Sequence, residues 1–112
     1  MQNKIKMKPI SPNEVKQKRI ESIPDFVIEA ANNLIAKKWN GFSSTFKLNE
    51  LVKESLKIGG DEVSREDLFD NHSFDIEPIF EKAGWKVNFD KPGYNESYDS
   101  FFEFTPKKKN NE

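Results

Sequence analysis

The chain has 112 residues, 33% of them charged and 35% hydrophobic, with ten Phe, two Trp, two Tyr, one His and no Cys. This allows one domain with a single aromatic core and leaves no material for a deep cleft. It excludes disulfides and thiolate chemistry. No apolar run approaches the roughly 20 residues that cross a bilayer, and the basic N-terminal residues have no apolar stretch behind them to make a signal peptide. A small soluble, cytoplasmic domain without membrane contact is expected. The formal net charge of −1 hides three zones. Residues 1–19 carry Lys4, Lys6, Lys8, Lys16, Lys18 and Arg19 against Glu14, a net of +5. Residues 106–112 add Lys107, Lys108 and Lys109 against Glu112, a net of +2. The body between them holds nine bases and seventeen acids, a net of −8. Residues 61–81 alone contain Asp61, Glu62, Glu66, Asp67, Asp70, Asp75, Glu77 and Glu81 against Arg65. An acidic body favours basic partners, whereas basic arms suit phosphates.

Residues 1–10 show neither cap nor stripe and read as an arm. Ser11-Pro12-Asn13-Glu14 is a helix start, with Ser11 and Glu14 as a capping box and Pro12 at the first helical position. That helix stops near Ser22 because Pro24 restricts the residue before it. Ser22 and Asp25 open a second helix over 24–39, whose stripe is Val27, Ile28, Ala31, Leu34, Ile35 and Trp39, closed by Asn40-Gly41. Residues 43–47 are extended. A helix over 48–57 turns Leu48, Leu51, Val52 and Leu56 inward and ends at Gly59-Gly60. Ser64 with Asp67, and Val63 with Leu68, mark another start. A short helix over 76–83 has Asp75 as its cap, Ile76, Ile79, Phe80 and Ala83 as its buried face, and Gly84 as its stop. Then the period changes from 3.6 to 2. Trp85, Val87 and Phe89 alternate with polar residues, Asp90-Lys91-Pro92-Gly93 reads as a type II turn, and Tyr98–Phe104 is the returning strand.

The expected class is α+β, a helical N-terminal part with a C-terminal β-hairpin, winged-helix-like. Its parts are a basic arm and short helix (1–22), the domain proper (23–105) and a disordered basic tail (106–112). A plain α+β domain whose hairpin covers a helical bundle explains the same order. In a winged helix, residues 73–82 would enter a DNA groove. They carry Asp75, Glu77 and Glu81 against Lys82, a balance that phosphate repels.

Two segments carry a resemblance. Residues 23–41, from Ile23-Pro24-Asp25-Phe26 to Lys38-Trp39-Asn40-Gly41, and residues 84–96, with Gly84-Trp85 followed by Lys91-Pro92-Gly93-Tyr94, resemble a set of small uncharacterised proteins encoded by tailed bacteriophages. The similarity spans roughly residues 20–105. It implies a viral accessory protein acting in a bacterial host cell, and it carries no activity or catalytic residue with it.

Chemistry-bearing patterns fail one by one. His72 lies beside Asp70 and Asp75 as a general base would, but a lone surface His is the plainer account. One His and no Cys leave zinc with carboxylates alone. The acidic run lacks the alternating oxygens and central Gly of a calcium loop. Gly59-Gly60 is not followed by the Lys and hydroxyl of a phosphate loop, and no Ser sits in a nucleophile elbow. Asn95-Glu96-Ser97 matches a glycosylation acceptor, which is irrelevant without secretion. No enzyme, cofactor or metal is expected. Of the aromatics, Trp39, Phe46, Phe80, Trp85, Phe89, Phe102 and Phe104 read as core, and Phe42, Tyr94 and Tyr98 as surface. The expected function is binding of a basic host or phage protein surface through Asp67, Asp70, Asp75, Glu77, Glu81 and Tyr94, blocking a nucleic-acid site by charge mimicry. The alternatives are a nucleic-acid module using Lys4, Lys6, Lys8, Lys16, Lys18 and Arg19, and a virion or assembly component.

Overall fold

A computed structural model describes residues 8–107, so Lys4 and Lys6 of the arm and Lys108 and Lys109 of the tail lie outside the described residues. Within them the chain is α+β, with helices α1 (Pro12–Glu21), α2 (Asp25–Lys38), α3 (Leu48–Gly59), α4 (Arg65–Asp70) and α5 (Glu77–Lys82). Strands β1 (Ser44–Lys47), β2 (Trp85–Asp90) and β3 (Phe101–Pro106) form one antiparallel sheet in the order β1-β3-β2.

The helix starts follow local chemistry. Ser11 and Glu14 form the full capping box, at 3.1 Å and 2.9 Å. Ser64 Oγ accepts from the Asp67 N–H at 3.0 Å. The Glu50 carboxylate accepts from the Lys47 N–H at 2.8 Å and meets Lys38 Nζ at 3.0 Å, tying the start of α3 to the end of α2. Those contacts hold its carboxyl below the usual value of 4.5, the backbone hydrogen bond contributing most. Asp75 does not cap α5. The N-cap is Ile76, already in helical conformation, and no side chain bonds there.

The core is organised by period two in β3. Phe102 and Phe104 are fully buried, while the chain alternates outward at Glu103. Phe102 lies opposite Phe46 and Phe89, and Phe104 opposite Ser44 and Val87. Ring centroids run 4.6 Å from Phe102 to Phe89, and 5.4 Å from Phe104 to both Phe46 and Phe80. The helices close this layer with Val27, Ala30, Ala31, Leu34 and Ile35 of α2 and Leu51 and Val52 of α3.

Four further expectations are corrected. Ala83, expected on the buried face of α5, is its exposed C-cap. Trp39 is not core: the backbone turns extended at this residue, leaving it 42% exposed, with its ring edge on Trp85 at 5.9 Å. The returning strand runs from Phe101 rather than Tyr98, because β1 gives way to α3 at Leu48 and β2 ends at Asp90, so earlier residues have no ladder to join. The tight turn is Gly93–Glu96, closed by the Glu96 N–H on the Gly93 carbonyl at 3.1 Å, and Gly93 does not take the positive φ that a type II turn demands. The long hairpin loop is pinned by Tyr98, whose hydroxyl donates to Asp90 with the Lys91 carbonyl 2.8 Å away. The bond to Asp90 pushes the phenol up to about 12. At the C-terminal end β3 reaches Pro106, and Lys107 donates to the Glu81 carbonyl through Nζ at 2.8 Å.

Gly59 shows how closely α2 and α3 approach. A Cβ there would stand 2.8 Å from Val63 Cγ2 and 3.0 Å from Phe26 Cε1. Gly59→Ala gains up to ~1 kcal/mol of backbone entropy, but overpacking costs about 1–3 kcal/mol. Chemical denaturation is expected to show a net loss on the order of 1 kcal/mol, and a stabilised variant would contradict this packing.

Candidate functional site

The stretch between α4 and α5 builds a cleft by alternation. His72 takes a left-handed φ of 57°, uncommon for a residue with a side chain though less so for His. Its N–H donates to the Phe69 carbonyl at 3.1 Å, and the Ser73 N–H to the Leu68 carbonyl at 2.9 Å. This tight reversal buries Phe74 and Ile76 and leaves Asp75 between them exposed. The result is a cavity of about 190 Å³ lined by Leu48, Phe69, His72, Phe74, Asp75, Glu77, Phe89 and Phe102.

Its rim is acidic. Asp75 Oδ2 lies 3.3 Å from Arg19 Nη2 and 3.8 Å from His72 Nδ1. Glu77 is half-buried and has no ion pair among the described residues. Burial, with the charges of Asp75 and Glu81 added, pushes its carboxyl above 4.5, and a hydrogen bond from its own backbone only partly offsets this. Glu81, one turn on, is exposed.

Of the residues expected to bind a partner, Asp75 and Glu77 line this cleft and Glu81 acts on it through charge. Asp67 and Asp70 are exposed on α4, either side of Phe69 in the chain. Tyr94 is fully exposed at the hairpin loop and lines neither this cleft nor the larger one described next. The aromatic floor was not expected. Its signal is a Phe-Asp pair at 69–70, 74–75 and 89–90. All three Phe line the cavity, and of their Asp partners only Asp75 does.

The basic residues diverge in the same way. Lys16 and Arg19 meet Lys82 around a second cleft of about 680 Å³ between α1 and α5, together with Asn13, Gln17, Ile20, Asp75 and Pro78. Lys8 and Lys18 are exposed elsewhere. Helix α1, which forms one wall, buries none of its residues. The Arg19–Asp75 pair is more than half exposed at both ends and contributes at most ~1 kcal/mol. This cleft is therefore far less fixed than the aromatic one. Among the described residues no three His, Cys, Asp or Glu side chains converge to hold a metal ion, and no helix is long and apolar enough to cross a membrane.

Because the Glu77 carboxyl is raised on folding, its stabilising share is fully present below 4.5 and is lost as pH rises through the folded value. Glu77→Gln is accordingly expected to melt at or slightly above the wild-type temperature at pH 7, with the gap closing as pH falls below about 4.5. Melting curves across pH 3–8 check this, and a variant less stable than wild type at pH 7 would contradict it. Against protein-family models, curated proteins and solved structures alike, the chain finds no match.

Proposed function

We propose that this chain is a non-enzymatic interaction protein, of the phage accessory kind its sequence resembles, that binds a basic surface of a host or phage nucleic-acid-processing protein in the bacterial cytoplasm. In this reading a winged-helix-like scaffold has given up DNA for protein, and its acidic side occupies a site that nucleic acid would otherwise take. The supporting observation is Glu77, a half-buried carboxylate with no ion pair among the described residues, held among Asp75 and Glu81 over an aromatic cleft. Such an arrangement costs stability in isolation and is relieved by a partner cation. Asp67 and Asp70 extend the negative field along α4, and Tyr94 serves as a separate exposed anchor.

A second reading has its own observation. Lys16, Arg19 and Lys82 around the larger cleft suit a phosphate-bearing ligand, although Asp75 offsets Arg19 there.

Fluorescence anisotropy with labelled nona-arginine tests the first reading. The wild-type chain is expected to bind it in a salt-sensitive way, with the triple variant Asp75→Asn, Glu77→Gln, Glu81→Gln at least about tenfold weaker, equivalent to about 1.4 kcal/mol. Replacing Lys8, Lys16 and Lys18 by Gln is expected to leave the affinity unchanged or raise it slightly. Equal binding by the triple variant and wild type would contradict the acidic-face reading.

A further inference from the structure

We propose that the aromatic cleft is a socket for one arginine side chain of the basic partner. This inference rests on the acidic-face reading above. Size limits the occupant first. Pockets for small molecules run from about 300 to 1,000 Å³, and this one measures about 190 Å³, room for a single side chain. Charge comes next. Asp75 and Glu77 stand at the cavity among Phe69, Phe74, Phe89, Phe102 and Leu48, so an anion is repelled and an apolar side chain would seal a carboxylate in without a counter-charge.

A cation that also presents a flat apolar face satisfies both halves of the lining. Guanidinium does this better than ammonium, because it is planar, more weakly hydrated, stacks on aromatic rings and forks between carboxylates. The chain's own arginines already make both contacts on this rim. The Arg65 guanidinium carbon lies 5.1 Å from the Phe69 ring centroid, and Arg19 sits on Asp75. Both contacts are on the outside, where an incoming side chain can displace or join them, and neither Arg19 nor Arg65 lines the cavity.

The test is a ¹H–¹⁵N NMR titration of the full chain with Nα-acetyl-arginine amide and the corresponding amides of citrulline, lysine and trimethyllysine. The arginine amide is expected to shift the backbone signals of Phe69, His72, Phe74 and Glu77 saturably, and the neutral isostere citrulline is not. Glu77→Gln is expected to weaken the arginine response by about five- to tenfold, and Phe69→Leu, an exposed position that keeps its bulk, by about threefold. Unchanged signals from the rest of each variant establish that it is folded. Citrulline acting like arginine, lysine or trimethyllysine acting equally or more strongly, or an arginine response indifferent to Glu77→Gln would overturn the socket. If nona-arginine still binds through Asp75, Glu77 and Glu81 in those cases, the socket falls and the acidic face stands. If nona-arginine does not bind at all, both fall.

Discussion

The alternation Phe102-Glu103-Phe104 in the central strand is the constraint on which the rest depends. Because β3 lies between β1 and β2, each of its inward rings touches a neighbour from both sides of the sheet. Phe104 also reaches Phe80, which brings α5 onto the sheet. Losing one such ring costs about 3–5 kcal/mol, a large share of the 5–15 kcal/mol that holds a domain of this size. A one-residue slip in this strand would turn both rings to solvent. Phe102 also lines the acidic cleft, so the residue that fixes the sheet fixes the floor of the candidate site.

The two clefts then differ in kind. The aromatic one is set in the core's edge, with Phe74 and Phe102 buried and Glu77 partly desolvated above them. The basic one depends on α1, a helix capped well at its start but carrying no buried residue. Asp75 lines both clefts. Its partner Arg19 belongs to the chain's own basic segment, so a cation from the N-terminal side already lies on the acidic rim. On the proposed reading, an incoming basic group would compete with an exposed pair worth at most ~1 kcal/mol and would supply the half-buried Glu77 with a counter-charge.

The capping boxes, stripes and stops made most of the fold legible in the sequence. Ser11 to Glu14, the α2 stripe, Gly60, Gly84 and the β2 alternation are local signals, and local structure obeyed them. What escaped depended on distant partners. Tyr98 continues the alternation of β3, but no strand remained beside it, and its hydroxyl turned to Asp90 instead. Trp39 fits the α2 stripe, yet the helix ended one residue earlier. For the candidate site, charge counting found Asp75, Glu77 and Glu81 but gave Asp67 and Asp70, which do not line the cleft, the same weight. Which acids share a cleft is decided by the His72 reversal, a positive-φ turn at a non-glycine residue that no sequence pattern announces. The aromatic floor comes from α4, the turn after it, β2 and β3, elements far apart in the chain.

On the proposed reading the acidic cleft, and not the Lys-rich arms, is the working surface. The most direct test of that reading is an anisotropy titration of the full chain against duplex DNA, single-stranded DNA and RNA at low and moderate salt. No binding to any of the three is expected, even at low salt. Binding that weakens steeply with salt and disappears when Lys4, Lys6, Lys8, Lys16, Lys18 and Arg19 are replaced by Gln would contradict it and make the arms the functional element.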